Sequence, residues 1–170
     1  MALHQYQTGD TAVVARPAAL GDFQTAIDVR GIRILADEPV EVGGDGLGPT
    51  PYELLSAALA ACTSMTLRMY ARRKGWVLPP FSVSVTHAIV PDGGDGRPRD
   101  RFNRYIAFEK TIDPEQRLKL LEIADKCPVH RTLMRGFVIA TDLGPPVSLP
   151  PGEPPVQHER DVERAYAEQG

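Results

Sequence analysis

The sequence predicts an α+β chain in which antiparallel strands accompany long helices, and three observations carry that prediction. Short β-like runs fill the first forty positions, and a long stretch of small and apolar residues with helical spacing follows a strong helix start at Thr50. A second pair of alternating runs then precedes another helix start at Asp113.

In chain order, Thr11 to Ala15, Phe23 to Val29 and Ile32 to Ala36 read as an antiparallel meander punctuated by Pro17, Gly21 and Gly31. Gly43-Gly44-Asp45-Gly46-Leu47-Gly48 is too flexible for a strand interior. It lacks the lysine of a P-loop and the glycine spacing of a dinucleotide fingerprint, so a plain connecting loop is expected there. Thr50-Pro51-Tyr52-Glu53 has the form of a capping box, with Thr50 as N-cap, Pro51 first in the helix and Glu53 reaching back. The helix continues through Leu54, Leu55, Ala58, Leu59, Cys62, Met65, Thr66 and Met69, and stops near Gly75 behind Arg72, Arg73 and Lys74. It reads as central and buried.

Phe81, Val83, Val85, His87 and Ile89 alternate with small polar residues, and a second run from Phe102 to Ile112 completes a hairpin with a long tip. Asp113-Pro114-Glu115-Gln116 begins a helix that ends near Lys126, with Leu118, Leu121 and Ile123 on its apolar side. A last strand is expected at Phe137 to Leu143. Five prolines between 145 and 155 then exclude a central strand, so one domain over 1–144 and a proline-rich arm over 145–170 is the simplest division.

The 170 residues, 42% apolar and 24% charged, describe a globular chain whose apolar stretches look too short to cross a bilayer. A net charge of -3 without a basic face gives no footprint for nucleic acid or anionic lipid, which leaves a small-molecule substrate as the expectation. Met1 to Asp10 carry no signal-peptide pattern, so a cytoplasmic, reducing setting is expected and a static disulfide is not.

The two cysteines occupy unusual places, Cys62 mid-helix among alanines and Cys127 at the junction after another helix. Each could be a small buried hydrophobe. A reactive Cys62 would need a cation close by, because apolar surroundings raise a thiol's pKa. Arg68 is turned away along the same helix, so Arg30 and Arg33, placed on the strands before the glycine loop, are the candidates; either could equally be an exposed surface charge. His130, three residues after Cys127, could assist proton transfer or simply end a turn, and the pair lacks the further ligands of a zinc site. Met65, Met69 and Tyr70 follow the helix stripe as core packing, and apolar walls there would suit a greasy substrate.

Gly48-Pro49-Thr50-Pro51-Tyr52-Glu53-Leu54-Leu55 running into Ala58-Leu59-Ala60-Ala61-Cys62-Thr63, with Cys127-Pro128-Val129-His130 following, resembles the OsmC/Ohr family of osmotically inducible and organic hydroperoxide resistance proteins. The likeness covers roughly residues 20 to 143. It implies an intertwined homodimer whose antiparallel sheets enclose long central helices. It also implies that Cys62 is the peroxidatic thiol and Cys127 the resolving one, with an arginine and a glutamate arranging the site, no cofactor, and a dithiol reductant of the lipoyl type. Arg33 is chosen over Arg30 as the arginine.

One position departs from the organic hydroperoxide resistance branch: directly after Pro51, where that branch carries its glutamate, this chain has Tyr52, and the acid has moved to Glu53. At roughly 100° per residue, Glu53 points about half a turn away from Cys62. Glu53 is therefore either an active-site group or only a helix cap. The leading expectation is a thiol peroxidase for organic hydroperoxides. The alternatives are a redox-responsive or ligand-binding protein with little turnover, and acyl transfer by Cys127 and His130, for which no orienting group is evident.

Overall fold

A computed structural model of the chain describes residues 13–18, 21–91, 96–141 and 143. The proline-rich arm, the hairpin tip at 92–95 and the expected strand start at Thr11 lie outside the described residues. The fold divides into two compact units, one built from the residues up to Pro51 with the segment from Val138, the other from Tyr52–Phe137.

In the first unit, β1 (Val14–Pro17), β2 (Thr25–Val29) and β3 (Ile32–Ala36) form an antiparallel sheet in that order. Strand β1 lies further along the chain than expected. Pro17 does not break it but closes it, paired with Thr25 on an edge strand, where a missing N–H is tolerated. Strand β2 starts at Thr25 rather than Phe23. Arg30 is not on a strand: with φ 51°, and Gly31 at 80°, it forms the two-residue turn that joins β2 to β3 with the twist hairpins prefer.

The glycine loop is a plain connector. Asp37, buried at the end of β3, accepts the amides of Glu38 (2.9 Å), Leu47 (3.1 Å) and Asp45 (3.2 Å). Burial works to raise this carboxyl, but the Leu47, Glu38, Asp45 and Gly46 amides outweigh it and hold the group below its ordinary value. Several amides that an anion would use are thus already aimed at a carboxylate. A Cβ at Gly48 would overlap the Leu35 carbonyl, so the loop packs too closely on β3 for any other residue there.

The second unit contains α1 (Pro51–Lys74), the hairpin β4 (Phe81–Val90) and β5 (Arg99–Phe108), α2 (Pro114–Ala124) and α3 (Pro128–Arg135). Pro51 is the first residue of α1, as expected from Thr50-Pro51. Strand β5 ends at Phe108, not Ile112, because its partner β4 begins at Phe81 and no ladder remains beyond the Phe81–Phe108 pair. Asp113 caps α2 through the amides of Glu115 (2.9 Å) and Gln116 (3.0 Å).

Helix α1 is buried along one face only, through Ser56, Leu59, Cys62, Thr63, Thr66, Leu67, Tyr70 and Ala71. Ala58 and Met65 are exposed, against the expectation of a core role, because they fall on the opposite side. Leu67 and Tyr70 pack on Leu120, Ile123 and Ala124 of α2, with Trp76, Phe81, Ile106 and Phe108 around them. Each fully buried leucine or isoleucine there contributes roughly 1.5–3 kcal/mol. By length and composition the 24 residues of α1 are enough to cross a bilayer, which corrects the expectation that no stretch is. The packing on α2 is that of a core helix.

The strand expected at Phe137 to Leu143 is not formed over 137–141. Phe137, Val138, Ile139 and Leu143 are exposed, and this run of strand composition has no ladder partner among the described residues.

Candidate active site

Cys62, near the middle of α1, and Cys127 come together in the second unit. They form a small apolar cluster with Leu59, walled by Val85 of β4, Phe102 of β5, and Val129 and Leu133 of α3. Both are free thiols, 4% and 0% exposed. The chain reaches this arrangement because α2 stops at Ala124 and a tight turn follows. The Lys126 amide bonds Ile123 O (3.0 Å), the Cys127 amide bonds Ala124 O (3.3 Å), and Cys127 becomes the N-cap of α3 with Pro128 in first position. Helix α3 was not anticipated. Cys-Pro ahead of Val129, His130 and Leu133, with Gly136 behind Arg135, was the signal for it.

The start of α3 faces both sulfurs. The Val129 amide donates to Cys62 Sγ at 3.5 Å. Cys127 makes no cap hydrogen bond of ordinary geometry, yet the positive ends of its neighbouring amides bear on its sulfur.

The two thiols titrate as a pair. A hydrogen bond from Cys62 is the largest influence on Cys127 and lowers it. Burial opposes this, while the His130 and Val129 amides and the Thr63 hydroxyl add to the lowering, bringing Cys127 to about 6. The same contact with Cys127, followed by burial, pushes Cys62 far above its ordinary value, against the Val129 amide and the Thr66 hydroxyl. Physically, the pair gives up its first proton easily, with the charge on Cys127 at the helix start, and holds the second on Cys62. Thr66, one turn along α1 from Cys62, is buried with no other hydrogen-bond partner for its hydroxyl among the described residues.

A cation that contacts Thr63, the residue next to Cys62, is Arg104 of β5, which does not stand out from the sequence. It donates through Nη1 to Thr63 Oγ1 (3.1 Å) and Ala124 O (2.9 Å), and through Nη2 to Asp125 Oδ1 (2.6 Å). The inward-facing register of β5, Phe102, Arg104, Ile106 and Phe108, was the available signal: a charge in an apolar alternation. His130, on the first turn of α3, is held below its ordinary value by burial and then by Arg104, against Asp125.

Arg33 is exposed on β3, its Nε 3.7 Å from Asp28 Oδ1. Glu53 is exposed in the first turn of α1, whereas Cys62 is buried nine residues on. Tyr52 is stacked on His87 of β4, ring centroids 4.0 Å apart, and His87 in turn leans on Phe102 at 4.8 Å, so an aromatic row leads to the thiol cluster. A groove of about 600 Å³ runs between β5 and α2, lined in part by Arg104, Ile106, Phe108, Arg117, Leu120 and Leu121. Among the described residues no group of three or more His, Cys, Asp or Glu is placed to hold a metal ion.

A family model described as OsmC-like protein matches residues 43–142, which takes in both cysteines. No curated protein matches the chain. Among solved structures, a Psychrobacter arcticus protein whose name links it to osmotic stress induction and a detoxification response has a TM-score of 0.62 at 24% identity, over 75% of this chain and 91% of that one. An organic hydroperoxide resistance protein OsmC of Legionella pneumophila has a TM-score of 0.58 at 18% identity, over 75% and 91% of the two chains. The organic hydroperoxide resistance protein OhrB of Bacillus subtilis gives 0.56 at 21% identity, again over 75% and 91%. At these identities the likeness speaks for the fold, and together with the family match it establishes that this chain belongs to the OsmC-like family.

Proposed function

We propose that the protein is a thiol-dependent peroxidase that reduces organic hydroperoxides to alcohols. The observation that carries this reading is the contact between Cys62 and Cys127, two free thiols from distant parts of the chain that lie in one buried cluster at a helix N-terminus. In the proposed cycle the Cys127 thiolate takes the Cys62 proton, and the Cys62 thiolate so formed attacks one peroxide oxygen. The O–O bond breaks, the alkoxide takes a proton from water and leaves as the alcohol, and Cys62 becomes a sulfenic acid. Condensation with the Cys127 thiol forms the disulfide and releases water. A dithiol of the lipoyl type then restores both thiols, and a reducing, cytoplasmic setting is part of the same proposal.

The apolar wall of Leu59, Val85, Phe102 and Leu133 favours an alkyl hydroperoxide over hydrogen peroxide. Arg33 and Glu53 enter the proposal as assisting charges, and a homodimer as its assembly. Ala57, Ala58 and Ala61 form an exposed, small-residue stretch on α1, with the exposed Met65 beyond it, over which a second helix could approach closely. Steady-state assays with cumene hydroperoxide on the wild type and on Cys62→Ser, Cys127→Ser, Arg33→Gln and Glu53→Gln test the roles. Turnover surviving Cys62→Ser would remove the assigned nucleophile.

The near-complete burial of both sulfurs favours one second reading, a redox-responsive protein with little turnover. Thiol oxidation without sustained peroxide consumption in the presence of excess dithiol would select it.

A further inference from the structure

Arg104 lies in neither of the stretches that carry the two cysteines, yet it ties three elements together around them. Its side chain is 14% exposed, and its guanidinium reaches Thr63 on α1, the last carbonyl of α2 and the Asp125 carboxylate in a single fork. We infer that Arg104 is a positioning residue of the thiol pair, holding and polarising the Thr63 hydroxyl that supports an anionic Cys127 sulfur. The inference rests on the thiol-pair reading above and assigns that pair its internal cation.

The Thr63 hydroxyl has one proton and two uses for it. It donates to Leu59 O at 2.8 Å, and it also bears on the Cys127 sulfur. A hydroxyl oxygen that accepts from a guanidinium is a stronger donor, because the bond draws charge from the O–H. When Cys127 is a thiol, the hydroxyl satisfies Leu59 O. When Cys127 is a thiolate, the polarised O–H can turn to a charged acceptor, which is the stronger bond.

Direct Coulomb attraction is a poor alternative, since Asp125, 2.6 Å from Nη2, cancels much of the arginine's field. Other charged or titratable groups near the pair include Cys62 on α1, Asp125 and Lys126 after α2, His130 and Arg131 on the first turn of α3, and His87 of β4, which leans on Phe102. His130 is biased toward its neutral form and so adds little charge. A lysine at 104 would keep the charge but lose the planar fork that spans the three partners.

The test uses the full-length, reduced protein and no peroxide. The pH dependence of iodoacetamide labelling is followed by peptide mass spectrometry at Cys127, with ultraviolet thiolate absorbance as a second readout. Arg104→Lys is expected to move the Cys127 midpoint up by about one pH unit, Thr63→Val by a similar amount, and the double variant by no more than either single one. Valine keeps the shape of threonine, so a purely structural role for Thr63 would leave the midpoint in place. An unchanged midpoint in folded Thr63→Val overturns the inference, and this variant decides the question if Arg104→Lys does not fold. Peroxide-driven thiol loss in the wild type is scored separately, so failure of the peroxidase reading leaves a distinct signature.

Discussion

Tyr52 lies flat on His87, ring centroids 4.0 Å apart and planes 5° from parallel, and His87 Nε2 sits 2.7 Å from Asp100 Oδ1. The residue after Pro51 is thereby committed to an aromatic wall between α1 and the β4–β5 hairpin. Tyr52→Ala should lower stability by about 0.5–1.5 kcal/mol beyond the loss of buried area, and Tyr52→Phe should recover most of it. Urea unfolding of the two variants reads the difference.

The thiol pair makes stability depend on pH, and the sign follows from the two directions. Cys127 is depressed from 9.0 to about 6, so below pH 6 the folded and unfolded chains hold the same protons and the pair adds nothing. Between pH 6 and 9 the unfolded chain binds one more proton, and stability rises with pH by on the order of 4 kcal/mol. Above pH 9 the raised Cys62 reverses the trend, because the folded chain then keeps a proton that the unfolded chain has lost. Chemical unfolding across this range should show the rise in the wild type and its absence in Cys127→Ser.

Leu120 and Leu118 are two residues apart on α2 yet 2% and 70% exposed. Leu120→Ala should destabilise by about 2–5 kcal/mol through a cavity against Leu67 and Tyr70. Leu118→Ala should stay within about 0.5 kcal/mol. Thermal melts of both distinguish a packed face from an open one.

Arg30 holds a left-handed conformation that asparagine adopts more readily. Arg30→Asn, which creates the preferred Asn-Gly turn between β2 and β3, should stabilise the protein by about 0.5 kcal/mol. A raised urea midpoint with an unchanged slope is the expected result.

Much of the fold was legible because local signals agreed with one another. Thr50-Pro51 and Asp113-Pro114 marked both long helix starts, and the alternation from Phe81 to Ile89 marked β4. What escaped depended on partners. Ile112 has strand character but no opposing residue once β4 has begun, and Phe137 to Ile139 are apolar without a ladder. Met65 fits a helical stripe, but which stripe is buried was decided by α2 and the hairpin. At the site, the meeting of Cys62 and Cys127 followed from the family likeness, whereas Arg104 acts across 41 residues of chain to Thr63, a distance at which spacing carries no information.

The central claim is that Cys62 and Cys127 form one redox pair, and non-reducing peptide mapping after a stoichiometric dose of cumene hydroperoxide tests it most directly. A single Cys62–Cys127 cross-linked peptide within each chain, with one alcohol formed per disulfide, is the predicted result. Both cysteines recovered as free thiols, or oxidised separately without a link, would contradict it.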